Sequence, residues 1–376
     1  MIRYFTDWFL WYYVFLAVMG LIYVQQKNKT KNLVEGQTTE FGEDYRSSWV
    51  FSILVFLPLI LIAGFREWSI GNYFTDSGAY ITSYNSSPSS LKEAFELWDW
   101  DSRAPGFYLF TAFIKQIFGP DYRAFFMIIA IICGLCVATT YKRYSDNIVL
   151  CAFLFFASSD FISWMTNGIR QFLAVSVLLL AFPLLQKRKY IPFLLIVFLM
   201  FTIHKSSLIV IPLYFASLGK PFNKRTISVL IAVLAAIIFV GRFTNLLDDS
   251  LQGTVYSNMV SEFEGDNGTN IVRALVYSVP AFLAVINRKK IDDTTPEIIR
   301  ISINMSLFTA GLYFLSVFMS GIYMGRLPIY CSLFNYILLP WQIKKLYKEE
   351  MQKSLFLLMI VLYFAFFVYQ MLQWGV

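Results

Sequence analysis

Apolar runs recur along the whole chain, separated by short polar punctuation. They fall near residues 5–24, 49–65, 124–141, 147–164, 169–185, 190–203, 206–217, 226–241, 271–287, 298–320, 327–343 and 355–374. A membrane span takes about 20 apolar residues, so the pattern predicts about twelve, several of them short, with the sixth and seventh meeting at His204. The longest polar stretches, 25–48, 66–104 and 242–270, are too brief to build a soluble domain with its own core. The predicted fold is therefore an all-α polytopic membrane protein, a single integral membrane domain over residues 1–376.

Charge gives the threading a direction. The basic clusters "KNKTK" from Lys27, "YKRY", "QKRKY", "GKPFNKR", "NRKK" and "IKKLYK" all fall on one side if the span count holds, and the positive-inside rule makes that side cytoplasmic. Two long loops, 66–123 and 242–270, then face outward. "APGFYLFTAFIKQIFGP", 104–120, is apolar enough to resemble a span, but counting it would invert every later basic cluster. It is read as a juxtamembrane helix in the outer interface. Ser90 and Glu93 form a capping-box start for a second interfacial helix, with Leu91, Phe95 and Trp98 on one face. No fixed-period or inverted repeat is evident.

Composition agrees: 57% of the residues are hydrophobic and 15% charged, a ratio no soluble fold of this length would tolerate. The net charge of +7 sits in short clusters beside apolar runs; it orients the chain, and no nucleic-acid partner is expected. The first run lacks a small-residue cleavage pattern and reads as a retained span. Cys133, Cys136, Cys151 and Cys331 lie in apolar segments and read as packing residues. No Walker A loop, dinucleotide fingerprint, H-E-x-x-H or G-x-S-x-G pattern occurs, so neither a cofactor nor a metal is expected.

The threading collects costly residues at the outer boundary: Arg66, Asp76, Arg103, Lys115, Arg123, Arg170, His204, Lys205, Arg242, Arg273 and Arg326. An arginine at a helix centre costs ~2.5–3.5 kcal/mol, and the positive-inside rule predicts few bases here, so this set asks for an anionic partner. Glu67, Asp99 and Asp101 offer ordinary ion pairs for some. Arg170 and Arg326 each open an apolar helix beside a glycine, where a planar guanidinium fork suits the oxygens of a pyrophosphate headgroup. Asp76, with Tyr80 and Tyr84 on one face of a helix, has the chemistry of a base toward a sugar hydroxyl. His204, the only histidine, is a candidate base or phosphate ligand. Tyr80, Trp98, Trp100 and Trp164 offer rings to sugars, although interfacial aromatic belts give the same composition.

"GFREWSIGNYFTDSGAY", "APGFYLF", "NGIRQFLA" and "IHKSSLIVIPLY", in this order, resemble the EpsG family, from about Gly64 to Tyr336. That family contains polysaccharide polymerases of the Wzy type and is similar to the wider GT-C glycosyltransferases. The resemblance implies a GT-C-like fold and a polysaccharide (O-antigen, capsule or exopolysaccharide) polymerase in the bacterial inner (cytoplasmic) membrane. Its active site would face the periplasm or outside, and it would transfer glycan from undecaprenyl diphosphate to a lipid-linked repeat unit among membrane lipids. A chain-length regulator is an implied partner. Arg123, Arg170, Arg273 and Arg326 would hold the diphosphate, with Arg66, Arg103, Lys205 and Tyr80 as further substrate contacts, and Asp76 or His204 would activate the acceptor. Many GT-C relatives carry two adjacent acids where this chain has Asp76 followed by Ser77. A single-sugar transferase using a polyprenyl-phosphate donor and a lipid-linked oligosaccharide flippase or transporter are the alternatives.

Overall fold

The computed structural model describes residues 2–34, 48–66, 75–100, 102–251 and 267–374, and every regular element among them is helical. The chain divides into two compact units, one comprising 1–98, 106–182 and 357–376, the other 99–105 and 183–356.

The first unit contains α1 (Ile2–Val34), α2 (Trp49–Gly64), α3 (Thr75–Ser86), α4 (Leu91–Glu96), α5 (Pro105–Phe118), α6 (Tyr122–Tyr144), α7 (Ile148–Ala157), a π-helix (Phe161–Asn167) and most of α8 (Ile169–Gln186). Glycines let α2 and α6 pack at close range: a Cβ on Gly134 would lie 2.3 Å from Ile60, and one on Gly64 2.5 Å from Met127. The two run antiparallel. Lys142, near the end of α6, sits 4.4 Å from the ring of Trp49 at the start of α2, and Arg66, just past α2, sits 3.8 Å from the ring of Phe126 near the start of α6. Tyr12 of α1 donates to Val55 O at 3.2 Å, and Phe9, Tyr12 and Tyr13 set their rings edge-on to Phe156 of α7.

The two short helices expected in the outer loop are present as α4 and α5. Ser90 Oγ accepts from Glu93 N at 3.2 Å, while the Glu93 carboxylate accepts from Ser89 N at 3.3 Å, one residue earlier than a standard capping box. Lys115 of α5 does not reach out to a ligand. Its ammonium donates to the carbonyls of Tyr84, Asn85 and Ser87 at 3.1, 2.8 and 2.6 Å, capping the C-terminus of α3, where the helix dipole favours a cation.

The second unit contains α9 (Tyr190–Ile203), a 3-10 turn (Lys205–Ile209), α10 (Val210–Ser217), α11 (Lys224–Ile238), α12 (Val240–Leu251), α13 (Ile271–Ile286), α14 (Glu297–Phe318), α15 (Ile329–Ser332), α16 (Asn335–Leu346) and the start of α17 (Glu349–Gln373). Its basic segments gather at one end. Lys220 pairs with Asp293 at 2.9 Å, Asn304 donates to the Ser217 and Lys220 carbonyls, Gln186 reaches Glu297, and Lys290 donates to Leu346 O. At the other end, the turn before α13 packs against the segment after α14. A Cβ on Gly321 would lie 2.8 Å from Gly268 O, and one on Gly325 2.5 Å from Thr269 Oγ1.

Twelve spans are not what the structure shows. By length and composition, five described helices can cross a membrane singly: Trp8–Asn28 within α1, then α6, α8, α14 and α17. The number rises to seven if the bent pairs α7 with the π-helix (82°) and α11 with α12 (95°) each count as one. Four further apolar helices, Trp49–Gly64, Tyr190–Ile203, Lys205–Ser217 and Ile271–Ile286, are shorter. At 1.5 Å per residue a 14-residue helix covers about 21 Å of a core about 30 Å thick. The apolar runs are real, but backbone breaks divide them: the run at 327–343 is split between α15 and α16, and that at 206–217 between a 3-10 turn and α10.

Candidate functional site

In the first unit the structure brings together Arg66, Asp76, Tyr80 and Arg170. Arg66 is placed by the end of α2, where Phe65 caps the helix by donating its N–H to Leu61 O. Its side chain is buried, 5% exposed, with Nη1 donating to Ala63 O at 3.1 Å and to Met165 O of the π-helix at 3.3 Å. Nε and Nη2 meet no hydrogen-bond acceptor among the described residues. Burial pushes the guanidinium below its ordinary pKa, with Tyr80, Cys133 and Asp76 opposing that shift from nearby. It nevertheless stays a cation, because an arginine does not deprotonate in a protein.

Asp76 lies in the first turn of α3 and is half-buried, as is Tyr80 one turn on. Tyr80 sets its ring edge-on to Phe107 of α5, 6.2 Å between centroids, and the Arg170 guanidinium lies 6.0 Å from the same ring. Arg170, second residue of α8, is half-buried, and its buried Nε meets no acceptor among the described residues. Phe107, Phe125 and Phe126 continue as an aromatic chain from Arg170 to Arg66. The sequence places Tyr84 on the same helix face, but it is wholly buried and donates to Gly119 O at 2.7 Å, so it holds α3 rather than a ligand.

In the second unit His204 closes α9, its backbone N–H donating to Met200 O at 2.8 Å. Its Nδ1 lies 2.7 Å from Ser206 Oγ, which lies 2.9 Å from Tyr330 Oη, and the Tyr330 carbonyl accepts from Tyr214 Oη at 3.1 Å. This hydroxyl relay fixes the imidazole. Arg273 stands in the first turn of α13, 5.6 Å from the Tyr277 ring, and the glycine-tight packing of Gly268 and Thr269 against Gly321 and Gly325 sets the Arg326 turn beside the start of that helix. Lys205 opens the 3-10 turn, half-buried.

Other predicted residues are less enclosed. Arg103 and Arg123 are exposed, the latter at the second residue of α6, whose N–H is capped by Asp121 at 3.0 Å. Arg242 is exposed in the first turn of α12. Trp164 is buried against Gly168, and its indole donates to Asp160 at 3.2 Å, which removes it from the rings that offer a face to sugar. Glu67 and Asp101, the expected ion-pair partners, lie outside the described residues.

Three features escaped the sequence reading: the Ser206–Tyr330 relay, the lysine cap on α3, and the break at Ser158–Asp160. The last had a signal, since a carboxylate in the middle of an apolar run is expensive. The relay had none, joining residues 124 positions apart.

No curated protein and no solved structure matches the chain. A protein-family model, described as the EpsG family, matches residues 49–375, which include every candidate residue above. With several helices long and apolar enough to cross a bilayer, this is a multi-pass membrane protein belonging to the EpsG family, implicated in exopolysaccharide biosynthesis.

Proposed function

We propose that the chain is a Wzy-type polysaccharide polymerase that transfers a glycan from undecaprenyl diphosphate to the terminal sugar of a second lipid-linked repeat unit, at the outer face of a bacterial cytoplasmic membrane. The supporting observation is the pairing in one unit of two arginines, Arg66 and Arg170, that form no salt bridge with a carboxylate among the described residues, with a half-buried Asp76 beside Arg66. Guanidinium groups without a salt-bridged carboxylate among the described residues, in so apolar a chain, call for an anionic ligand, and a diphosphate presents the matching oxygens.

In this reading the Asp76 carboxylate takes the proton of the acceptor hydroxyl as its oxygen attacks the anomeric carbon of the donor glycan. The bond from that carbon to the diphosphate oxygen breaks, and the electron pair leaves with undecaprenyl diphosphate. Arg66 and Arg170 stabilise the charge that develops there. His204, held by its hydroxyl relay, is the second candidate for the base. Within the same unit Arg123 serves as a further phosphate ligand and Tyr80 as a sugar contact; in the second unit Arg103, Lys205, Arg273 and Arg326 are the candidate phosphate ligands, and a chain-length regulator is a candidate partner.

Purified protein incubated with its native lipid-linked repeat unit, with products resolved by length, tests the reading. A ladder of regular steps that disappears in Arg66→Ala and Arg170→Ala proteins is the expected result. An unchanged substrate overturns it in favour of transport, and addition of one sugar from a polyprenyl-phosphate donor overturns it in favour of a single-sugar transferase.

A further inference from the structure

Between α7 and α8 the chain does three costly things in succession. Ser159, a buried non-glycine residue, adopts a left-handed φ of 66°. Asp160 buries a carboxylate completely. Residues 161–167 then wind as a π-helix, a rare form found mostly at functional sites. Of the two arginines enclosed in the first unit among the described residues, Arg66 bonds to a carbonyl of this π-helix and Arg170 stands just beyond its end.

We propose that this break is a positioning device for Arg66 and Arg170, with Asp160, Trp164 and Gly168 as its positioning residues. The contacts run in order. Asp160 Oδ1 accepts from the Trp164 indole at 3.2 Å. The Trp164 ring lies so close to Gly168 that a Cβ there would come within 2.9 Å of it. Gly168 closes the π-helix by donating its N–H to Ser163 O, five residues back, and its own carbonyl accepts from Phe172 N in the first turn of α8. Arg170 lies in that turn. One turn of π-helix earlier, Met165 turns its carbonyl to the Arg66 guanidinium. A continuous α-helix through 157–170 would advance each residue by about 100° and rotate these two groups away from the positions the wider π turn gives them. The inference rests on the phosphate-binding role proposed for the two arginines and adds the means by which they are held.

The test measures binding of an undecaprenyl diphosphate-linked repeat unit to the purified full chain in detergent, alongside KM and kcat for elongation, with the thermal midpoint as a check on folding. Trp164→Phe removes the donated N–H and, with the six-membered ring of the indole, the Cε3 and Cζ3 atoms that lie against Gly168, whereas Asp160→Asn keeps an oxygen to accept the indole N–H. One hydrogen bond is worth roughly five- to tenfold in an equilibrium. Trp164→Phe is therefore expected to weaken binding and raise KM by at least about that factor with kcat little changed, and Asp160→Asn, in which the indole still finds an acceptor oxygen, to leave both within about twofold of wild type. Gly168→Ala, which drives the ring away, is expected to weaken binding further. Wild-type binding in a folded Trp164→Phe protein overturns the inference, as does a loss of kcat at unchanged KM. If Arg66→Lys and Arg170→Lys also leave binding unchanged, the phosphate-site reading itself has failed. If they weaken it while Trp164→Phe does not, the positioning inference alone has failed. Should Gly168→Ala not fold, the Trp164→Phe and Asp160→Asn pair still decides.

Discussion

Arg66 and Arg123 carry the same guanidinium, yet only one is committed to a fixed geometry. Arg66 spends one nitrogen on two backbone carbonyls and keeps two others buried without an acceptor among the described residues, whereas Arg123 projects into the open. Lysine at position 66 keeps the charge but not the planar fork that bonds carbonyls and phosphate together. Arg66→Lys is therefore expected to lower kcat/KM for elongation about 10- to 100-fold without loss of fold, measured by product length over time. The choice of base is also made at this scale. Asp76→Asn is expected to reduce kcat by about 10²- to 10⁴-fold while donor binding persists. A loss of that size in His204→Gln, with Asp76→Asn active, would transfer the role to the imidazole and its Ser206–Tyr330 relay.

Helix ends and close backbone approaches decide the elements. The α3 helix, which carries Asp76, ends on the Lys115 ammonium, and Lys115→Met leaves those carbonyls without their cation at a cost of about 1–2 kcal/mol. Faster hydrogen exchange confined to α3 and its neighbours checks this expectation, along with a fall in activity larger than the fall in thermal midpoint. Gly268 has a φ of +73°, and a Cβ there would lie 2.4 Å from Val317 O, a backbone atom that cannot swing aside. Gly268→Ala is expected to lower stability by roughly 2 kcal/mol or more, read as a lower thermal midpoint. A midpoint equal to wild type would contradict the close packing before α13.

For the whole molecule, the question is which way the chain faces. In each unit the basic segments lie at helix ends remote from the enclosed arginines or histidine: Lys142 meets Trp49 at the far end of α2 from Arg66, and Lys220 and Asp293 pair at the far end of α14 from Gly325 and Arg326. All four native cysteines are buried, so an introduced one reports alone. Ser89→Cys and Lys289→Cys, both at exposed positions, are expected to react oppositely with an impermeant thiol reagent in intact cells. The first is labelled from outside and the second only after permeabilisation, and the reverse pattern would invert the proposed orientation.

Much of this protein is written locally. Apolar runs of sufficient length dictate helices in a bilayer because unsatisfied backbone groups cannot survive there, and the basic clusters mark shared ends of the helices; both are properties of consecutive residues. Ser90 as a cap, α5 as a separate short helix, and Arg170 as the opening of α8 were legible for the same reason. The twelve runs did not become twelve spans, because hydropathy is blind to a 3-10 turn, a π-helix or a left-handed serine, each of which breaks a helix without changing its composition. Only the tertiary structure decided that Lys115 caps a helix, that Trp164 serves Asp160 rather than a sugar, and that Arg66 is enclosed while Arg123 is not. Those outcomes depend on which backbone carbonyls and rings distant segments bring within about 3 to 4 Å, and no single stretch of sequence contains that information.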